Sequence, residues 1–197
     1  MTNNFEQIKS LLDFPNEDTF YFIQLIKRRK ENPDMPKSEI VLNAHYITSI
    51  EMLERLEPEI IEFCKTFNAR AYINLNKRSF EKVGLETLRK ITEYIIQKDY
   101  KAIRKAYNST CGSYSSDPDK KWILDIDEIP DRLSDWMMTL SADLYETQPV
   151  DVQKVKAVIP TKNGFHVITS PFNVQEFEKY YKGIDIHKNN PTILFAP

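Results

Sequence analysis

Cysteine is scarce in this chain, neither sign of charge dominates it, and no long apolar run appears. The two cysteines, Cys64 and Cys111, lack the spacing of a metal site and do not suggest a disulfide framework, which predicts a reducing compartment. The formal net charge is −2. No global basic field therefore attracts nucleic acid, and any such contact must come from a local patch. The start, M-T-N-N-F-E-Q, has no basic region followed by an apolar core, and no apolar run approaches membrane-spanning length. The expected location is the cytoplasm, with no membrane partner. Internal repeats and low-complexity tracts are also missing.

What is present is ordinary for a globular protein: 197 residues, 41% hydrophobic and 28% charged. That length allows one compact domain, or a small domain with an appended module. A short apolar turn of helix is expected from Ile8 to Phe14. Thr19 onward, T-F-Y-F-I-Q-L-I-K-R-R-K, is rich in aromatic and β-branched residues and reads as a strand. It ends in the basic cluster Lys27 to Lys30, which reads as a solvated strand end, with a phosphate contact as the alternative. E-I-V-L-N-A-H-Y-I-T gives a second strand paired with it. Helical spacing follows from Ser49, with a kink or break expected at Pro58 because proline removes a backbone donor.

Ala69 to Ser79 alternates as a half-buried strand running into Lys77, Arg78 and a capping Ser79. Such a corner either holds an anion beside a helix start or is merely polar. Leu85, Leu88, Ile91 and Ile95 predict a long amphipathic helix continuing toward Tyr107. Asn108 to Asp119 is a loop by composition. After Lys121 to Glu128, Pro130 and Asp131 open a helix with the core stripe Leu133, Trp136, Met137, Leu140 and Leu144. A hairpin is expected around P-T-K-N-G, from Val155 to Ser170. Asn173 caps a short helix, stapled by Phe172 and Phe177, with Gly183 just past its end. One or two strands close the chain. The pattern fits an α+β domain with a mainly antiparallel sheet covered by helices on one face.

The chemistry concentrates in K-W-I-L-D-I-D-E. If this is a strand, Asp125 and Asp127 share one face while Leu124 and Ile126 share the other. Like charges that close would push one pKa up, so a stable ionised pair implies a cation between them. Oxygen-only ligands suit Mg²⁺ or Mn²⁺. The plainer alternative is a strand end facing water. In G-F-H-V-I-T, His166 and Ile168 share one face, and Lys162 and Asn163 precede them in a turn, a composition suited to phosphates. Asp185 adds a third carboxylate on the short apolar stretch I-D-I-H.

The order of these elements, L-D-I-D, then G-F-H, then I-D-I, resembles the archaeo-eukaryotic primase superfamily, the primase-polymerases. R-A-Y-I-N-L-N-K-R-S also looks like the strand preceding the catalytic core in many members. The resemblance runs from about Ala69 to the C-terminus. It implies an RRM-like catalytic core, residues 69–197, joined to a smaller N-terminal α/β module, residues 1–68. The implied activity is nucleotidyl transfer in DNA replication, with Asp125, Asp127 and Asp185 holding Mg²⁺ or Mn²⁺. His166 would contact the incoming nucleotide's phosphates, and Lys162, Lys77 and Arg78 would balance triphosphate charge. Implied partners are nucleoside triphosphates, single-stranded or primed nucleic acid, and a helicase or other replication protein. The chain departs from many primases in having no zinc-binding cluster of cysteine and histidine, and only twelve residues follow Asp185.

Other readings compete with this one. A haloacid-dehalogenase-like phosphatase also uses an apolar strand ending in D-x-D, but here Glu128, Ile129 and Pro130 follow, where a small or hydroxyl residue is the norm. H-Y-I-T at His45 and H-V-I-T at His166 are similar to the paired motifs of 2H phosphoesterases, yet histidine and threonine stand three positions apart where two positions are needed for one face. The non-enzymatic reading is a degenerate RRM-like binding module that stacks bases on Tyr72.

Overall fold

The computed structural model describes residues 1–115, 117–128 and 130–197. Ser116, inside the expected loop, and Ile129, after the D-x-D, lie outside the described residues. The chain runs β1 (Thr2–Asn3), α1 (Phe5–Lys9), β2 (Thr19–Arg28), β3 (Glu39–Ile47), α2 (Ile50–Phe67), β4 (Arg70–Ser79) and α3 (Phe80–Ile96). Then come α4 (Tyr100–Ile103), α5 (Ala106–Ser113), β5 (Trp122–Ile126), α6 (Leu133–Glu146), β6 (Val155–Pro160), β7 (Phe165–Thr169), α7 (Val174–Phe177), β8 (Asp185–His187) and β9 (Thr192–Ala196). No helix among them is long and apolar enough to cross a membrane.

The strands form two antiparallel sheets, a five-stranded one ordered β1-β9-β4-β2-β3 and a four-stranded one ordered β6-β7-β5-β8. The second sheet is built from the unit β5-α6-β6-β7-α7-β8, two split β-α-β halves with the first and third strands central. This is the RRM-like arrangement, and the protein is α+β. The division expected at residues 68 and 69 runs through neither sheet boundary. β4 lies between β2 and β9 in the first sheet, so the RRM-like unit spans β5 to β8.

Alternation along β5 and β7 decides what each face packs on. Leu124, Ile126, Phe165 and Val167 point to the helical side, where they bury with Leu140 and Leu144 of α6 and with Phe172 and Phe177. Ile123 and Ile168 point the other way and join Ile73, Ile193 and Phe195 of the first sheet in one core. The face opposite the helices is therefore turned toward the five-stranded sheet. Phe172 and Phe177 stand 5.0 Å apart, and the Asn173 side chain accepts from Gln175 N and Glu176 N, so the expected staple and cap form.

Three expectations need correction. α2 continues through Pro58, which sits on its exposed side, where water can satisfy the carbonyl that proline leaves without a donor. The apolar stripe of α3 is turned outward: Leu85, Leu88 and Ile95 are exposed, while Val83 and Thr87 are buried. Within the expected loop, α5 runs to Ser113. Its hydroxyls return to the preceding turn, Thr110 Oγ1 to Ala106 O at 2.8 Å and Ser113 Oγ to Ser109 O at 2.9 Å. Burial of Ala106, Thr110 and Cys111 on that helix outweighs its poor helix composition.

A row of polar side chains on β4 fastens the two sheets together. Asn76, 3% exposed, donates from Nδ2 to Lys121 O at 3.1 Å and Lys188 O at 3.2 Å, and its Oδ1 accepts from Lys121 N at 2.6 Å. Lys121 directly precedes β5, and Lys188 directly follows β8. Asn74 Nδ2 donates to Asn189 O at 3.1 Å, and Asn4 Nδ2 bridges Pro160 O at 2.9 Å and Ile193 O at 3.0 Å. A buried hydrogen bond contributes about 1 kcal/mol, and an orphaned buried partner costs about 1–3 kcal/mol. Replacing Asn76 by Ala should therefore lower stability by about 2–4 kcal/mol, measured by urea denaturation. A change below about 0.5 kcal/mol would show that these contacts hold nothing.

Candidate active site

The site is assembled by register. Asp125 on β5 pairs directly with His166 on β7 and with Asp185 on β8, and Ile123 pairs with His187. Opposed residues of an antiparallel pair share a face, so these side chains project together toward the five-stranded sheet. His166 Nε2 lies 3.3 Å from Asp125 Oδ1, and His187 Nε2 lies 3.9 Å from Asp125 Oδ2. The second ring nitrogen of His166 is 2.8 Å from Oγ1 of the fully buried Thr192. An ionised carboxylate only accepts, so we assign the His166 ring proton to Nε2, and the Thr192 hydroxyl donates to Nδ1. Burial pushes the His166 pKa below its usual value, against the attraction of Asp125, with His187 adding to the depression.

A cleft of about 420 Å³ opens between the sheets at this point. One wall carries Asp125, His166 and His187, with Asp127 at the end of β5 and Lys162 in the β6–β7 turn. The facing wall comes from the first sheet and carries Arg28, Lys30, Arg70 and Tyr72. Arg28 donates from Nη1 to the Tyr72 hydroxyl at 3.2 Å and sits with Nε 3.2 Å from Glu39 Oε1, while Arg70 pairs with Glu31. Lys30 and Lys162 form no ion pair among the described residues. Carboxylates thus face cations across a space large enough for a small polar ligand.

Of the residues singled out in the sequence, Asp125, Asp127, Lys162 and His166 meet in this cleft. Asp185 is exposed and lines a neighbouring depression together with Asp125 and Asp127. Lys77 and Arg78 are not in the cleft. Lys77 Nζ is held 2.8 Å from Asp13 Oδ2, and its backbone N donates to Asp117 Oδ2 at 2.8 Å. Arg78 is 1% exposed; it donates from Nε to Cys111 O at 2.7 Å, from Nη2 to Asn189 Oδ1 at 3.2 Å, and also to Asn76 O. Burial lowers its pKa to about 10. Both are fastenings, because β4 turns its polar row into the protein before reaching α3. His45 sits on β3 opposite Ile23, outside the cleft lining.

Sequence reading missed His187 and Arg70 as cleft residues, and it marked Arg28 and Lys30 only as part of a basic cluster that could meet phosphate. The signal for His187 was there: in I-D-I-H, Asp185 and His187 are two apart and so share a face. Nothing local marked Arg70, since it reaches the site only by the packing of one sheet on the other.

Hard carboxylate oxygens at Asp125 and Asp127 fit Mg²⁺ or Mn²⁺. Among the described residues, no three His, Cys, Asp or Glu side chains are arranged to hold a metal ion unaided.

The position of Asp127 depends on Gly164. A Cβ there would lie 1.8 Å from Ile126 O and 3.1 Å from Asp127 C, so the β6–β7 turn approaches the end of β5 as only glycine allows. Gly164→Ala should push β5 and the turn apart, lowering stability by about 2 kcal/mol or more and displacing Asp127, as read by thermal melting and amide chemical shifts at residues 124–128. Unchanged melting and shifts would mean that the close approach is absent in solution.

No family model matches this chain, and neither the curated proteins nor the solved structures contain a match to it.

Proposed function

We propose that this protein is a metal-dependent nucleotidyltransferase of the primase-polymerase kind, adding nucleotides to a nucleic-acid 3′-hydroxyl. One observation carries the reading. The D-x-D carboxylates, His166 and four cations, Arg28, Lys30, Arg70 and Lys162, line a single cleft between the central strands of an RRM-like sheet and the five-stranded sheet. A triphosphate needs cations around its oxygens, and transfer needs hard carboxylates beside the α-phosphorus.

In this reading Lys162 and Lys30 take β- and γ-phosphate oxygens, and His166 moves its Nε2–H hydrogen bond from Asp125 Oδ1 to a phosphate oxygen. Asp125 and Asp127 would hold Mg²⁺ or Mn²⁺, which when bound neutralises charge on the attacking and leaving oxygens. The 3′-oxygen forms a bond to the α-phosphorus as the α–β bridging P–O bond breaks. Pyrophosphate leaves with that electron pair, and the hydroxyl proton goes to solvent. Thr192 keeps the His166 ring in the orientation that this donation requires. The rival RRM-like binding module is less well supported, because the strand positions that would stack bases, on β5 and β7, face the other sheet and carry Ile123, Asp125, His166 and Ile168.

The test is Mn²⁺-dependent incorporation of a labelled nucleotide on a primed template. Asp127→Asn should abolish incorporation while leaving the metal-free melting temperature nearly unchanged, since Asp127 is exposed and its charge lies beside another carboxylate. A large loss of stability in Asp127→Asn would instead make the residue structural. His166→Ala should weaken binding of a non-hydrolysable triphosphate by about ten- to a hundredfold, the equivalent of one hydrogen bond to a charged group. Because burial keeps this imidazole neutral above its usual pKa, the loss should be the same at pH 7 and pH 8. Equal affinity in both proteins, measured by calorimetry, would remove His166 from the phosphate site.

A further inference from the structure

Two depressions share the D-x-D. Beside the cleft, Asp125 and Asp127 also line a hollow of about 360 Å³ with Trp136, Lys182, Ile184 and Asp185. Its chemistry differs from that of the cleft. The cleft offers four cations, whereas the hollow offers one, Lys182, against the carboxylates of Glu128 and Asp185 in addition to the shared pair. A triphosphate would be repelled there. A nucleotide carrying a single phosphate charge is repelled far less, and the hollow also contains a large aromatic surface. Trp136 is held edge to face against Phe165 and Tyr181, at 5.9 Å and 6.2 Å between ring centroids, so its orientation is fixed before any ligand arrives. Lys182 is exposed and makes no ion pair among the described residues, and it lies next to Gly183, whose φ of +90° turns the chain into β8.

We propose that this hollow is the seat of the 3′-terminal nucleotide of a nucleic-acid strand, with Trp136 against the terminal base and Lys182 on its 5′-phosphate. The proposal rests on the nucleotidyltransferase reading and deepens it: the triphosphate occupies the cleft, the strand end occupies the hollow, and the two carboxylates form the wall at which the two reactants meet.

The experiment uses the full chain with Mn²⁺ and two probes. One is a primed template with the fluorescent base 2-aminopurine at the primer 3′ end, or at its 5′ end as control, and the other is a non-hydrolysable nucleoside triphosphate. Wild-type protein should change the fluorescence of the 3′ probe and not that of the 5′ probe. Trp136→Leu should remove that change and weaken primer binding about tenfold, with triphosphate affinity unaltered. Lys182→Glu, a change on the exposed surface that spares the core, should weaken primer binding similarly. Loss of triphosphate affinity in Lys182→Glu, or primer binding and 3′ fluorescence like wild type in that variant, would overturn the hollow's assignment while leaving the nucleotide reading standing. Failure of the wild-type protein to bind triphosphate at all would overturn that reading and, with it, this one.

Discussion

Everything in the cleft depends on how firmly one sheet is fixed against the other, and buried amides complete the fixing that the shared apolar core begins. Asn76 makes both its hydrogen-bonding ends count: the Nδ2 group reaches two carbonyls on different segments, and Oδ1 takes the amide of Lys121 at 2.6 Å. One segment leads into β5 and the carboxylates, and the other leaves β8 just after His187. A neutral amide suits this position because it satisfies buried backbone groups without placing a charge in a dry interior. Arg78, two residues further along β4, extends the row to Cys111 O on α5 and to Asn189.

That fixing sets two unlike surfaces face to face. The RRM-like sheet presents Asp125, Asp127 and His166, and the five-stranded sheet presents Arg28, Arg70 and Tyr72. Neither surface alone would hold a triphosphate beside a pair of carboxylates. Glu39 and Glu31 hold Arg28 and Arg70 in place, so these two cations are ordered before a ligand arrives, whereas Lys30 and Lys162 have no ion-pair partner among the described residues. Preorganised charge is the form of electrostatic stabilisation that needs least rearrangement during reaction.

How much of this was legible in the sequence follows from the range of the interactions involved. Strand parity is local, and it correctly put Leu124 and Ile126 on one face of β5, Phe165 and Val167 on one face of β7, and His166 beside Asp125. The hairpin around Lys162, the Asn173 cap and the capping Ser79 were equally local. What failed was long-range. Lys77 and Arg78 look like free cations at a helix start, and only the fold shows Asp13, Cys111 and Asn189 taking them. The α3 stripe failed for a related reason: periodicity finds an apolar face without saying what it meets, and here the side toward Phe20 and Phe22 carries Val83. Arg70 gave no signal, and the cluster holding Arg28 gave no direction, because both become cleft residues only when β2 and β4 pack opposite β5.

The most direct measurement of the central claim is a crystal structure of the protein with Mn²⁺ and a non-hydrolysable nucleoside triphosphate. The account predicts an anomalous manganese peak at Asp125 and Asp127, with the triphosphate lying in the cleft between Lys162 and Arg28 and His166 Nε2 on a phosphate oxygen. Manganese or nucleotide bound elsewhere, with the cleft holding only water, would contradict it.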